Sequence, residues 1–460
     1  ADLRQRVRKQ VLDAAISYTQ NVLGDYATAA QWAQPDLQQP ILVTGHQPRF
    51  YHPGVWCKNF VLAQAAQELG AIPINLIVDT DEVGILEVML PIFRAGSWST
   101  EQITLLEANP GETFEVLAAP TKEQISAFLA AIRQVDTAGY QESTRENLNR
   151  FTELLEKMNG QHWAEDLGLA GWQTLLRRRY EGEAPYLELP VSHLAELPGF
   201  KEYASQVIAA APSFVECYNR TLRRYRHKHN YRYPVNPFPD LQYDATINSY
   251  ELPFWVLQAG ARQPALTGKD LTDLPLRPRG MLLTLFSRLF YADLFLHGIG
   301  GAKYDGVTSA FIQEYYGLEP PTYAAATLTL WPELTVSTVN RGDWQRLEGL
   351  VRDIEFNPDR YLAVAGLSQA EQVRLEQLVA RKQELIELLQ KSGVDRKKIG
   401  LEIKDINQVV GASLATYKEQ VNAKLEQIKR ALAGNEAAQR RDFPYFLFRP
   451  DQVKTLTGHN

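Results

Sequence analysis

Apolar residues at the start of the chain recur at intervals of three or four positions, with charged residues between them. The recurring positions are Leu3, Val7, Val11, Ala15, Tyr18 and Val22. This spacing places side chains along one face of a helix. The sequence therefore predicts an amphipathic helix in an N-terminal segment of residues 1–35.

Short apolar runs bounded by glycine or polar loops follow this segment. Residues 41–45 and 72–79 form two such runs, and a helical pattern separates them. A strand, a loop, a helix and a second strand form a βαβ unit, which requires a parallel sheet. We therefore expect an α/β core with a parallel sheet in residues 36–108 and 181–335. Residues 109–180 carry helical patterns rich in Glu, Arg and Leu, which predict a helical insertion in that core.

Two later segments of the core give more specific predictions. Residues 277–298 are largely apolar and predict one long helix, and residues 322–331 predict the last strand of the sheet. A glycine-rich loop would then follow the long helix directly.

The C-terminal part of the chain carries a helical repeat within residues 336–442. From Ile399 to Leu432, apolar positions alternate steps of three and four, which is the spacing of a coiled coil. A second helical stretch precedes it, and Ser392-Gly393 supplies a turn between them. We expect an antiparallel coiled-coil hairpin that either holds a homodimer together or acts as a lid. Residues 443–460 are expected to pack on the core.

Composition narrows the class of protein. At 460 residues the chain exceeds the roughly 250 to 300 residues of a single core, so two or three units are expected. A net charge of -6 gives no general attraction to nucleic acid. Two cysteines are too few for a disulfide framework. Without a long apolar run or a recognisable signal peptide, we expect a cytoplasmic protein with no membrane partner.

The first candidate site is the polar loop between the strand at residues 41–45 and the following helix. In open α/β sheets, ligands bind beyond the carboxyl ends of strands, and a helix start offers free N–H groups to anions. We expect the loop and its lysine to bind phosphate or carboxylate, and its two histidines to transfer protons. A turn and helix cap would also explain the loop's proline and glycine. The candidates are Thr44, Gly45, His46, Gln47, His52, Gly54 and Lys58.

A second candidate site follows the next strand. Asp79 and Asp81 belong to the same edge of the sheet as the first loop. Carboxylates there bind a cation such as Mg²⁺ that bridges phosphates, or accept hydrogen bonds from a ribose or an amine. We expect a catalytic role for Asp81 and a binding role for Asp79, with a solvated turn as the structural alternative. No residue is assigned as a permanent metal ligand.

The third candidate site is a segment with three glycines in four positions. Such glycines allow the backbone to approach a ligand closely, and the charged and aromatic residues around them supply acid-base groups. The segment does not have the spacing of a phosphate-binding loop. Arg279 precedes it and suits phosphate or carboxylate oxygens, although a salt bridge would also explain it. The candidates are His297 for catalysis and Gly300, Gly301, Lys303, Tyr304 and Asp305 for binding.

These motifs resemble those of a known family. ILVTGHQPRFYHPGVWCKNF followed by PINLIVDTDE resembles the T-G-Q-Q, G-P, K, P-V-F-W and E-D-H-D motifs of the bacillithiol-biosynthesis cysteine-adding enzymes. GIGGAKYD is similar to their later G-G-P-x-E-x-x-Y segment. His46 replaces the first glutamine of T-G-Q-Q, and the acidic motif lacks its histidine. The H-x-G-H and K-M-S-K-S signatures are absent from the sequence.

The resemblance implies a Rossmann-like core and a coiled coil that dimerises. It also implies a ligase or transferase that consumes ATP or another nucleotide and joins a cysteine-like amino acid to an amino-sugar or amine. The sequence leaves open whether Mg²⁺ is required. The competing hypothesis is a non-catalytic ligand-binding or scaffold protein that dimerises through its coiled coil.

Overall fold

The computed structural model describes residues 2–24, 36–159, 161, 166–231, 238–271, 274–364 and 367–458. The chain divides into two compact units. The first contains residues 1–90, 101–333 and 440–460, and the second contains residues 91–100 and 334–439.

The described residues contain helices and strands in a mixed α/β order. The strands are β1 (Ile41–His46), β2 (Ile72–Ile77), β3 (Ile85–Arg94), β4 (Ser97–Glu107), β5 (Leu187–Pro190), β6 (Tyr243–Asp244), β7 (Ser249–Gln258), β8 (Ala261–Leu266), β9 (Leu276–Pro278), β10 (Leu294–His297) and β11 (Thr322–Ala325). The α-helices are α1 (Asp2–Leu23), α2 (Pro53–Leu69), α3 (Lys122–Arg133), α4 (Glu142–Asn159), α5 (Gly168–Glu181), α6 (Val191–Glu196), α7 (Pro198–Ala209), α8 (Ala211–Lys228), α9 (Gly280–Phe290), α10 (Ile299–Phe311), α11 (Arg341–Phe356), α12 (Gln369–Leu389), α13 (Arg396–Ala412), α14 (Ala415–Ala438) and α15 (Pro450–Leu456).

The first unit is built on a five-stranded sheet in which all neighbouring strands are parallel. The strand order is β11-β10-β1-β2-β5. Along the chain, β2 and then β5 are added on one side of β1. The chain then crosses to the other side of β1, where β10 and β11 are added. The parallel sheet predicted from the βαβ pattern is confirmed.

Both faces of the sheet are covered, as parallel strands require. Ile41 and Val43 of β1 share one apolar core with residues of α1, and Leu42 between them packs against Leu62 and Ala66 of α2 on the other face. All six residues of β2 are buried. The apolar runs that predicted these strands are thus explained by burial on two sides.

Smaller sheets accompany the parallel one. β7 pairs with β8 and β9 in antiparallel register, and β6 pairs with the start of β7. β3 and β4 form a separate two-stranded hairpin.

The predicted long helix over residues 277–298 is wrong. The segment forms β9, the shorter helix α9 and then β10. α9 ends at Phe290, and Asp293 then joins the chain to β1. Its N–H donates to the carbonyl of Ile41, and its carboxylate accepts from the Ile41 N–H at 2.9 Å, directly before β10 begins. The glycine-rich segment therefore spans the end of β10 and the first turns of α10. The last strand is also shorter than predicted, since β11 ends at Ala325.

The second unit contains helices α11 to α14. Leu375 and Leu385 of α12 pack against Ile406 and Val410 of α13, and the turn that joins these helices contains Gly393 at φ +84. The turn predicted at this glycine is confirmed. The apolar repeat from Ile399 to Leu432 does not form one helix.

The repeat is divided because α13 ends at Ala412 and α14 begins at Ala415. Leu414 lies in the break and is fully buried with Ile354 and Val421. Burial of this side chain between helices accounts for the interruption. Within the described residues, none of the helices has the length and apolarity needed to cross a bilayer.

Candidate functional site

A cleft of about 320 Å³ opens at the carboxyl ends of β1, β2 and β10. Here the chain connections leave β1 toward opposite sides of the sheet, and ligands of open α/β sheets bind at such points. A larger groove of about 820 Å³ lies beside α7, but no histidine lines it. The predicted residues that line the smaller cleft are Gly45, His46, Gln47, Asp81, His297, Gly301, Tyr304 and Asp305.

His297 and Asp305 form a hydrogen-bonded pair in this cleft. The imidazole Nε2 lies 3.0 Å from a carboxylate oxygen of Asp305, and the same oxygen is 2.8 Å from the guanidinium of Arg288. Asp305 and Arg288 are almost completely buried, with side chains 2% and 1% exposed. His297 ends β10 and Asp305 lies in the second turn of α10, so the strand-to-helix connection creates the pair.

The pair fixes the tautomer of the imidazole. An ionised carboxylate only accepts hydrogen bonds, so Nε2 of neutral His297 carries the proton and Nδ1 is the basic nitrogen. A Cβ atom at Gly301 would lie 2.9 Å from this Nδ1. The first turn of α10 can approach the imidazole this closely because residue 301 is glycine.

His46 is a second imidazole in the cleft, but its electrostatic setting is different. Burial and the neighbouring ammonium of Lys58 lower the pKa of His46 to about 3. Its Nδ1 lies 3.2 Å from the carbonyl oxygen of Gln47, so Nδ1 donates and Nε2 remains an acceptor. The ring edge meets Tyr51, whose hydroxyl accepts a hydrogen bond from the buried Arg177 at 2.9 Å. His46 is therefore a fixed, neutral hydrogen-bonding group.

Lys58 and Thr44 form hydrogen bonds with the backbone that borders the cleft. Lys58 is buried, and its ammonium donates to the carbonyl of Gly45 at 2.7 Å. Burial lowers the pKa of Lys58 to about 8. The hydroxyl of buried Thr44 donates to the carbonyl of Leu296 at 2.7 Å, which ties β1 to β10. Both side chains hold the backbone of the cleft, whereas the sequence had suggested direct contact with a ligand anion.

Asp81 is bound to cationic and amide groups in the cleft. Its carboxylate forms an ion pair with Arg262 and accepts a hydrogen bond from the side chain of Gln47 at 2.7 Å. Arg262 also lies over the ring of Trp255, 4.7 Å from its centroid, and pairs with Glu82 at 3.0 Å. The Asp81 carboxylate is therefore paired with an arginine and an amide of the chain itself.

Several predicted residues do not line the cleft. Asp79 is buried, and burial raises its pKa to about 7 while it accepts hydrogen bonds from the backbone and hydroxyl of Ser192. His52 caps α2 by accepting from the N–H of Gly54 at 3.1 Å, which agrees with the structural alternative for this loop. Arg279 pairs with Glu251 at 2.7 Å, the salt bridge considered above. Gly300 and Lys303 are exposed in the first two turns of α10.

Sequence reasoning missed Arg262 and the pairing of Arg288 with Asp305. Arg262 lies in β8, about 180 positions from Asp81, and no local pattern around it differs from an ordinary exposed strand. Trp255 of β7 also lines the cleft. Pairing of β7 with β8 brings Trp255 and Arg262 together. Isolated bridges from Ala261 to Glu112 and from Thr113 to Glu82 then connect β8 with the segment that contains Asp81. The described residues contain no group of three or more His, Cys, Asp or Glu placed to hold a metal ion.

Comparison with known proteins yields no match, either to a family model or to a curated protein. The resemblance to the cysteine-adding enzymes therefore rests on the motif residues alone.

Proposed function

We propose that this protein is an enzyme that joins two small molecules, or transfers a group between them, in the cleft at the ends of β1, β2 and β10. The observation that carries the proposal is the pairing of His297 with Asp305 in the wall of that cleft. A histidine with one nitrogen held by a buried carboxylate is a common arrangement for a general base.

In the proposed reaction, Nδ1 of His297 accepts a proton from the nucleophile of the acceptor, an amine, thiol or hydroxyl. The nucleophile's electron pair then forms the new bond to the donor, and the leaving group departs from the donor. The carboxylate of Asp305 stabilises the imidazolium that results, and the ion pair with Arg288 keeps that carboxylate in place. Arg262 and neutral His46 offer hydrogen-bond donors and acceptors to the substrates.

The strand order supports a Rossmann-like core in which a nucleotide binds where the chain connections leave β1 toward opposite sides of the sheet. ATP or another nucleotide would activate the donor, and Arg262 would contact its phosphates. Mg²⁺ would bind chiefly through the phosphates of the nucleotide, where it would neutralise part of their charge. With the motif resemblance, this favours a ligase that joins a cysteine-like amino acid to an amino-sugar or amine.

The test begins with thermal unfolding of the protein against nucleotides, amino acids and amino-sugars, each with and without Mg²⁺. Ligands that bind the native state raise the unfolding temperature. Combinations that do so are then assayed for nucleotide consumption by chromatography. In His297→Asn, we expect the ligand-induced shift to persist and turnover to fall by about 100-fold or more.

His227→Asn is the matched control, because His227 is exposed on α8 and outside the cleft. Turnover at the normal rate in His297→Asn would overturn the proposed role of His297. Binding of ligands by the normal chain without any turnover would instead favour the non-catalytic binding protein.

We also propose that the helices of the second unit hold a homodimer. Exposed apolar side chains on α12 and α13 support this, namely Val373, Leu401 and Val409, which are 53%, 55% and 43% exposed. Light scattering should give a dimer for the normal chain and a monomer when all three residues are changed to glutamate. A monomeric normal chain at tens of micromolar protein would contradict the proposal.

A further inference from the structure

Four aromatic residues form a cluster beside the cleft, here called the tyrosine cluster: Tyr225, His229, Tyr231 and Tyr304. The ring of Tyr225 lies 4.2 Å from His229 and 6.1 Å from Tyr231, with interplanar angles of 32° and 19°. Tyr304 lies 5.9 Å from Tyr231. The first three residues come from the end of α8 and the residues after it, and the fourth comes from α10.

The cluster is joined to the cleft through α10. Tyr304 lines the cleft itself. The hydroxyl of Tyr225 donates to the backbone carbonyl of Lys303, and the Tyr225 ring lies so close to Gly306 that an added Cβ would be 3.1 Å from it. The end of α8 is therefore held against α10, and the aromatic rings have a fixed position relative to His297 on the adjoining strand.

The cluster differs from the aromatic residues of the core in its exposure and charge. The three tyrosines are half-buried and His229 is exposed. Lys228 and Lys303 are exposed next to members of the cluster, and neither forms an ion pair with a described residue. Half-exposed rings with cations beside them are the elements that proteins use to stack a base and attract its phosphates.

We propose that the tyrosine cluster is the subsite for the base of the nucleotide, with a purine or pyrimidine ring stacked on Tyr231 and its neighbours. This inference rests on the proposed nucleotide-dependent function. A cleft of about 320 Å³ is at the lower limit of small-molecule sites, and the acceptor and donor must also occupy it. A nucleotide whose phosphates enter the cleft therefore has its base outside. Tyr304 belongs both to the lining of the cleft and to the tyrosine cluster, so the base can reach the cluster directly.

Stacking on an aromatic ring tolerates all four bases, because each base has a π face. The proposal therefore predicts that ATP, GTP and CTP bind with affinities within a few fold of one another. A polar pocket that reads base edges would give much larger differences between them.

The experiment is calorimetric titration of the full chain with ATP and, separately, with inorganic triphosphate, which has no base. Removal of one stacking ring costs about 1–3 kcal/mol, so Tyr231→Ala should weaken ATP binding about 5- to 150-fold. Triphosphate affinity should not change. Tyr231→Trp should retain ATP binding, and His229→Ala should weaken it in the same direction as Tyr231→Ala.

Tyr243→Ala is the matched control, because Tyr243 is a half-exposed tyrosine on β6, where it stacks with Tyr250 away from the cluster. If the normal chain binds ATP and both Tyr231→Ala and His229→Ala bind it equally well, the base subsite is refuted and the proposed function stands. Equal losses for ATP and triphosphate would also refute it, since they would reveal an effect on phosphate binding or folding. If the normal chain binds no nucleotide, both the subsite and the nucleotide-dependent function are refuted.

Discussion

At the scale of single residues, the ion pair between Arg288 and Asp305 combines a structural and a chemical role. Both side chains are almost fully excluded from water. Removal of charges from water is costly, and the mutual attraction of a buried pair offsets that cost only while both partners remain. The position of His297, the proposed general base, therefore depends on an interaction that also affects folding stability.

Asp305→Asn should lower the free energy of unfolding by about 3–5 kcal/mol, because it leaves the Arg288 charge buried without its partner. The double variant Arg288→Met/Asp305→Asn should lose less than the sum of the two single changes. Urea denaturation of the four proteins measures this coupling. Glu426→Gln is the control, since the exposed pair of Glu426 with Lys429 should contribute under about 1 kcal/mol. Strict additivity of the two single changes would contradict the interpretation.

His46 should be neutral throughout the physiological pH range. Its pKa is about 3 in the folded protein and near 6.5 when unfolded, so the unfolded chain binds more protons between those pH values. The stability that neutral His46 contributes is therefore present above pH 6.5 and is lost as pH falls toward 3.

This prediction is checked by NMR of histidine-labelled protein, with the His46 signal assigned through His46→Gln. The imidazole resonance of His46 should not titrate between pH 5 and 8. A midpoint for His46 within that range would contradict the burial argument. The low pKa could not be predicted from the sequence, because it depends on the burial of the His46 ring and on the packing of Lys58 near it.

At the scale of helices and strands, the sequence predicted elements well where the pattern was long or regular. α1, β1, α2 and β2 lie where the spacing of apolar residues indicated. The four residues of β10 could not be separated from α9, because a short apolar run fits a strand or a buried helix equally well. The split between α13 and α14 also escaped prediction, since Leu414 continues the helical repeat while it fills a core between helices.

The candidate site was predictable only in part for the same reason. The loops after β1 and β2 were predicted to belong to the site because the carboxyl ends of parallel strands lie at the same edge of a sheet. Arg262 reaches this edge from a different sheet, so its pairing with Asp81 has no signature in either segment. The roles of Lys58 and Thr44 could not be assigned, because a sequence does not show on which side of the backbone a polar side chain is buried.

The segment before α15 makes an element-scale prediction. Phe446 is fully buried, and its ring stacks on that of Phe151 in α4 with the ring centroids 3.7 Å apart. The backbone carbonyl of Phe446 accepts a hydrogen bond from the hydroxyl of Tyr180 at 2.9 Å. Phe446→Ala should lower the free energy of unfolding by about 3–5 kcal/mol through the cavity it creates. Leu456→Ala, at a position 56% exposed, should have little effect. Equal unfolding midpoints in urea for the two variants would argue against tight packing of this segment.

At the scale of the whole molecule, the two compact units should unfold separately. Each unit has its own buried clusters, and those of the second unit are much smaller than the main core of the first. Less buried apolar area gives lower stability, so the second unit should unfold at a lower urea concentration.

Fluorine NMR of fluorotryptophan-labelled protein can follow both units in one urea series. Trp56 and Trp172 report on the first unit, and Trp98 and Trp344 report on the second. We expect the second pair of signals to change first. A single transition shared by all four would show that the chain unfolds as one cooperative body.

The central position of β1 has a consequence for how the protein is made. One edge of β1 pairs with β10, whose first residue, Leu294, follows His46 by some 250 positions. At about 5–20 residues per second, the ribosome needs roughly 12 to 50 seconds to reach it. Throughout that interval the nascent chain presents an unpaired strand edge, which is a template for aggregation. We therefore expect newly made chains to depend on a chaperone until the fourth strand of the sheet has emerged.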